Sequence, residues 1–191
     1  MSDMSWHLAL SEFIRADTPD GWGRIVEAHR GELLDPLSLL TFERAVTNAR
    51  RENSPNAGTI EAVSVFLHTA QRQGVQAAVS DERQRRERIV NATARFLSAP
   101  LAQTGQTLRQ HEQTLLSADA VRMAKRMIGS LASEDDLSDP LTPLRRRVRE
   151  LQVEFLEHAR AQGIDIAERQ YADEVGDVFG RFGNAYAGDN D

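Results

Sequence analysis

Cysteine is absent from this chain of 191 residues. Disulfides, thiolate metal ligands and a cysteine nucleophile are thereby excluded, and a reducing, cytoplasmic setting is the expectation. Lysine is nearly absent: of 23 basic residues only Lys125 is not arginine, a bias that codon usage in a GC-rich genome explains without any special need for guanidinium. No stretch approaches the roughly 20 apolar residues of a membrane span. The opening MSDMSWHLAL carries an early acid and no apolar run of signal-peptide length, so neither export nor membrane association is expected. No sustained alternation of apolar and polar residues marks a strand. A phosphate-cradling glycine loop, Gly-x-Ser-x-Gly and His-Glu-x-x-His are all missing, so no cofactor, metal site or catalytic residue is expected. The glycine-rich GRFGNAYAG near the end has no strand before it and reads as tail. A net charge of -6 and a pI near 5.4 argue against nucleic acid as partner.

What the chain does have is a repeated frame. FLHTAQRQG runs from Phe66 to Gly74 and FLEHARAQG from Phe155 to Gly163. The likeness extends upstream. His29 and His111 are each followed, at the same distance, by a Leu-Leu pair, Leu33-Leu34 and Leu115-Leu116. Phe13 and Phe96 stand a similar distance before those histidines. Beyond them, Leu39, Phe42, Val46 and Ala49 occupy the offsets that Val121, Ala124, Ile128 and Leu131 occupy in the second copy. That is one apolar helical face written twice in register. After the glycines, Val75 and Ala78 match Ile164 and Ala167. The second copy is longer, and its extra residues fit the acidic loop SEDDLSDP, Ser133 to Pro140, where an insertion is well tolerated.

Helix punctuation supports the same frame. Asp35-Pro36 offers an N-cap and a proline at the first helical position, Ser117 takes the cap position in the second copy, and Thr142-Pro143 repeats the logic. ENSPNAG, Glu52 to Gly58, is a turn. Gly74 and Gly163 sit where helices stop, because glycine enters the left-handed region cheaply. The expected fold is all-α: two tandem helical repeats, about 13–96 and 96–175, forming a short α-solenoid or irregular bundle in one domain over 1–175. Residues 176–191 are expected to be a flexible tail. Short helices are expected at Trp22–Arg30 and Thr107–Thr114, and longer ones at about 36–53, 59–73, 75–98, 118–132 and 143–162.

The succession of Phe-Leu, His-x-x-x-Leu-Leu, an alanine-rich helix and a closing Phe-Leu with Gln-Gly resembles the TPR-like helical segments that accompany caspase-like (CHAT) protease domains in actinobacterial and cyanobacterial proteins. The resemblance covers residues 13–80 and 96–170. It implies a detached recognition or regulatory module, with no catalytic residues to carry over.

Few side chains invite chemistry. His29 and His111 fall at matched positions and read as braces of the short helices. Glu154 and His158 lie four apart on one helix face, but no second pair completes a metal site. Asp81 to Arg88, DERQRRER, alternates charge at helical spacing and reads as a solvated face laced by Asp81–Arg85, Glu82–Arg86 and Arg83–Glu87. Trp6 and Trp22 read as core. The densest basic cluster is Arg145, Arg146, Arg147 and Arg149. It either pairs with the acidic loop before it or forms the edge of a surface for an acidic segment of another protein. The leading expectation is a non-enzymatic protein–protein interaction module. The alternative is an enzyme or small-ligand-binding bundle with a pocket between the repeats.

Overall fold

A computed structural model describes residues 6–52, 54, 56–134 and 142–174. These residues are all-α, and among them there is no strand. The chain divides into two compact units within one helix, between Glu87 and Arg88.

Unit 1 contains α1 (Trp6–Ala16), α2 (Pro19–Ala28), α3 (Arg30–Leu33), α4 (Pro36–Arg51), α5 (Ala57–Gln73) and the first part of α6 (Val75–Ser98). Thr18 and Asp35 cap α2 and α4. Their side chains accept from Gly21 N and Leu37 N, and a proline follows each cap. The core gathers around Trp22. Its ring meets Phe13 and Phe66 edge-on at 5.8 and 5.5 Å, the favoured geometry of aromatic quadrupoles. Its indole Nε1 donates to the carbonyl of Phe13 at 2.8 Å. Val26, Val63 and Leu67 are fully buried around this cluster. α4 and α5 run antiparallel, as the pairs Glu43–His68 and Arg50–Glu61 show.

Unit 2 takes the rest of α6, a 3-10 turn (Leu101–Gln103), α7 (Thr104–Gln110), α8 (Glu112–Leu115), α9 (Ala118–Glu134), α10 (Thr142–Gln162) and α11 (164–174). Ser117 Oγ accepts from Ala120 N at the start of α9. α10 begins on Thr142 itself, and the residue before it lies outside the described residues. Phe155 stacks between Phe96 and Tyr171, at 6.3 and 4.6 Å. The carbonyl of Phe96 accepts from Gln152 Nε2 at 3.2 Å, and the same amide donates to Ala99 O at 3.1 Å. A tryptophan serves the Phe13 carbonyl in unit 1, whereas a buried glutamine serves the Phe96 carbonyl in unit 2.

Several positions that share a register in the sequence are buried in both units. Phe13 and Phe96, Leu33 and Leu115, Leu39 and Val121, Phe42 and Ala124, Phe66 and Phe155, and Ala78 and Ala167 are all buried. His29 and His111 both end one short helix and begin another, with φ of -123° and -120°. Gly74 and Gly163 have φ of +95° and +94°. The role of Gly74 differs from a left-handed cap: its ψ is 159°, an extended conformation of mirrored hand that only glycine adopts cheaply. The next helix therefore starts at once, at Val75 and at residue 164. A side chain at either glycine would meet nothing within 4 Å, so the requirement is one of backbone alone. The sequence reading did not single out Gly23 and Gly105. A methyl group at Gly23 would come within 2.8 Å of Val79 Cγ2, and one at Gly105 would strike the Glu168 carboxylate. Gly23 lets α2 approach α6 closely, whereas the contact at Gly105 is with the movable end of the Glu168 side chain.

The expected helices for 36–53 and 59–73 are observed as Pro36–Arg51 and Ala57–Gln73. The expected single short helices are each broken in two, at His29 and at His111. The expected tail 176–191 and the loop 135–140 lie outside the described residues, as does the side chain of Trp6.

Candidate functional site

Arg145, Arg146, Arg147 and Arg149 fall in the first two turns of α10. The position opposes local electrostatics. The first turn of a helix carries partial positive charge, which disfavours the Arg145 cation there. Arg145 and Arg149, four apart, also repel along one face. Two glutamates of the same helix relieve part of this. Arg146 Nε lies 3.2 Å from Glu150, and Arg147 reaches both Glu154, at 2.9 Å, and Glu150, at 3.6 Å. The hydrogen bond to Glu154 raises the pKa of Arg147. Arg145 and Arg149 make further polar contacts. Arg145 and Arg146 are exposed, and Arg147 and Arg149 half-buried. The expected pairing with Asp135, Asp136 and Asp139 falls outside the described residues. Glu154, one half of the Glu154–His158 pair, is occupied by Arg147.

Asp81 to Arg88 is in large part the solvated face its charge alternation suggests, with Asp81, Arg83, Gln84, Glu87 and Arg88 exposed, but Glu82 departs from it. Glu82 is only 5% exposed and holds two guanidinium groups, with Arg85 Nε and Arg86 Nε each at 2.7 Å. Arg86 also lies over the Trp22 ring, 4.9 Å from its centre, and donates to the carbonyl of Asp17 at 2.7 Å. Asp17 has φ of +36°, an uncommon conformation for a residue with a side chain. Arg83 passes over Glu87 to reach Asp20 at 2.5 Å and holds that carboxyl below the usual range. The cluster fastens the α1–α2 turn to α6.

His68, unremarked as a partner in the sequence, lies with Nε2 3.0 Å from Glu43 Oε1 across α4 and α5. The positions in the same register of unit 2 are Lys125 and Glu157, which pair at 2.6 Å with the carboxylate on the other helix of the pair. A single chain cannot reveal this from helical spacing, because the partners belong to different helices.

Around Glu43–His68 the outer side of α4 and α5 carries large aliphatic side chains. Leu37 is 74% exposed, Leu40 42% and Val65 57%. Leu40 stands one turn from Glu43, and Val65 one turn from His68. Arg44 and Arg51 continue the same ridge of α4, both exposed.

Among the described residues no group of three or more His, Asp or Glu could hold a metal ion. No helix among them is long and apolar enough to cross a membrane. No protein-family model, no curated protein and no solved structure matches the chain.

Proposed function

We propose that this chain is a protein–protein interaction module built from two copies of one TPR-like helical unit. In this reading the arginine-rich start of α10 forms part of a surface for an acidic segment of another protein. The supporting observation is the placement of Arg145 to Arg149. Arg145 stands in the first turn, where the helix dipole disfavours a cation, it repels Arg149 one turn on, and Arg145 and Arg146 face solvent. Sequences depart from local consistency mainly at sites selected for function. The matched burial and backbone geometry of the two units support a shared frame, since unrelated helices have no reason to place Gly74 and Gly163, or Gly23 and Gly105, alike.

The test uses a flexible peptide of Glu, Gly and Ser, without apolar residues. It should bind weakly and lose affinity with salt, because exposed charges are screened beyond a Debye length of about 8 Å at physiological ionic strength. The double reversal Arg145→Glu with Arg146→Glu should leave the thermal midpoint nearly unchanged and abolish binding. If the reversed protein folds and still binds, the arginine surface is wrong. If it unfolds, those arginines brace the structure.

A further inference from the structure

The two units provide an internal control for which exposed residues the frame requires. Leu37, Leu40 and Val65 all lie outside the core of unit 1. In the same register of unit 2 stand Asp119, Arg122 and Glu154. These are charged, and they sit among ion pairs such as Asp119–Arg122 and Arg147–Glu154. The helical frame thus accepts charge at all three positions, and packing does not demand the aliphatic residues of unit 1. Single exposed leucines are ordinary. Three at positions where a sibling unit has only charges are not explained by folding.

We infer that the outer ridge of α4, with the adjoining side of α5, docks an amphipathic helix that carries acidic residues beside its apolar stripe. Leu37 and Leu40, three apart, present side chains at the spacing that a facing helix interlocks with. Val65 extends the patch past the Glu43–His68 pair. The charge of the partner follows from Arg44 and Arg51, which continue the ridge one and three turns beyond Leu40. Both are exposed, and neither has an ion-pair partner among the described residues. Recognition of an amphipathic helix through periodic apolar anchors is an established mode. Unpaired arginines at the edge select acidic partners over basic ones.

This surface rests on the reading of the chain as an interaction module, but it uses a different unit and a different ligand chemistry from the α10 arginines. The probe is a fluorescein-labelled peptide of about four helical turns, with leucines three and four apart on one face and glutamates beside them. Fluorescence anisotropy should show saturable binding to the full chain. Leu37→Asp with Leu40→Arg installs the residues that unit 2 carries. It should lower affinity at least tenfold, with circular dichroism and thermal midpoint unchanged. Arg44→Glu with Arg51→Glu should do the same. A version of the peptide with lysines for glutamates should bind at least tenfold more weakly. Arg145→Glu with Arg146→Glu should leave this peptide's binding intact, which separates failure of the α10 surface from failure of this one. No binding by the wild-type chain would overturn the inference, as would affinity that survives the leucine replacements in folded protein. Self-association that disappears with those replacements, without peptide binding, would assign the ridge to a second copy instead. Should the leucine variant misfold, the Arg44/Arg51 pair of reversals decides.

Discussion

Tyr171 shows how much one atom can depend on surroundings that are invisible in sequence. Its ring stacks on Phe155, and its hydroxyl is buried beside Thr104 without a well-formed hydrogen bond. Burial pushes the phenol pKa above its ordinary value of 10.0, and Thr104 offsets this only in part. The folded state therefore keeps the proton to higher pH than the unfolded chain does. The stability this confers is fully present below about pH 10 and is lost as pH rises from there toward the folded pKa. Tyr171→Phe should leave neutral-pH stability within about 1 kcal/mol of wild type, because the hydroxyl contributes little net hydrogen bonding. It should also flatten the alkaline fall in a urea-midpoint profile. An unchanged alkaline limb would assign that fall to other groups. Gly74 and Gly163 are the opposite case: their role as stops was legible, because no other residue accepts a φ near +95° without strain. Which region of positive φ they occupy was not legible, since only the restart of the next helix decides it.

At the scale of elements, the helices of unit 1 carry two kinds of charge. Glu82 is sequestered between Arg85 and Arg86, while Glu61 meets Arg50 in the open, both side chains about half exposed. An exposed pair contributes at most about 1 kcal/mol, because water screens it and ordering two side chains costs entropy. Removing one partner of a buried cluster strands the other charges away from water. Glu82→Gln should therefore cost about 3 kcal/mol in denaturant unfolding, at the lower end of the range for broken buried pairs because both arginines still touch solvent. Glu61→Gln should cost less than about 1 kcal/mol. Equal costs would show that Glu82 gains nothing from its burial. The alternation of DERQRRER correctly indicates a helix, and Glu82–Arg86 forms as spaced. Helical spacing alone does not disclose that Asp17 and Asp20, more than sixty residues earlier, claim Arg86 and Arg83.

At the scale of the molecule, the largest clusters of buried apolar residues belong one to each unit, around Trp22 and Phe66 in unit 1 and around Phe96 and Phe155 in unit 2. Phe66→Ala should cost about 3–5 kcal/mol, the usual range for a buried phenylalanine. Hydrogen exchange read by mass spectrometry should localise that cost: protection should fall in α4 and α5 while α9 and α10 keep theirs. Phe155→Ala should reverse the pattern. A uniform loss of protection in either variant would show that the chain unfolds as one cooperative body.

The amino-acid order by itself determined the all-α class, most helix boundaries to within a few residues, and the two phenylalanines at the heart of each frame. These follow from local physics: the period of the apolar face, the caps before Pro36 and Ala118, and glycine's access to positive φ. The prominence of Arg145 to Arg149 was legible for the same reason, as a local density of charge. Tertiary structure alone decided which charges are buried. It also decided that Trp22 and Gln152 serve equivalent carbonyls with different chemistry, and that Leu37, Leu40 and Val65 remain outside. Each of these depends on residues far apart in sequence reaching the same few cubic ångströms, and desolvation is set by that meeting rather than by the residue or its neighbours along the chain.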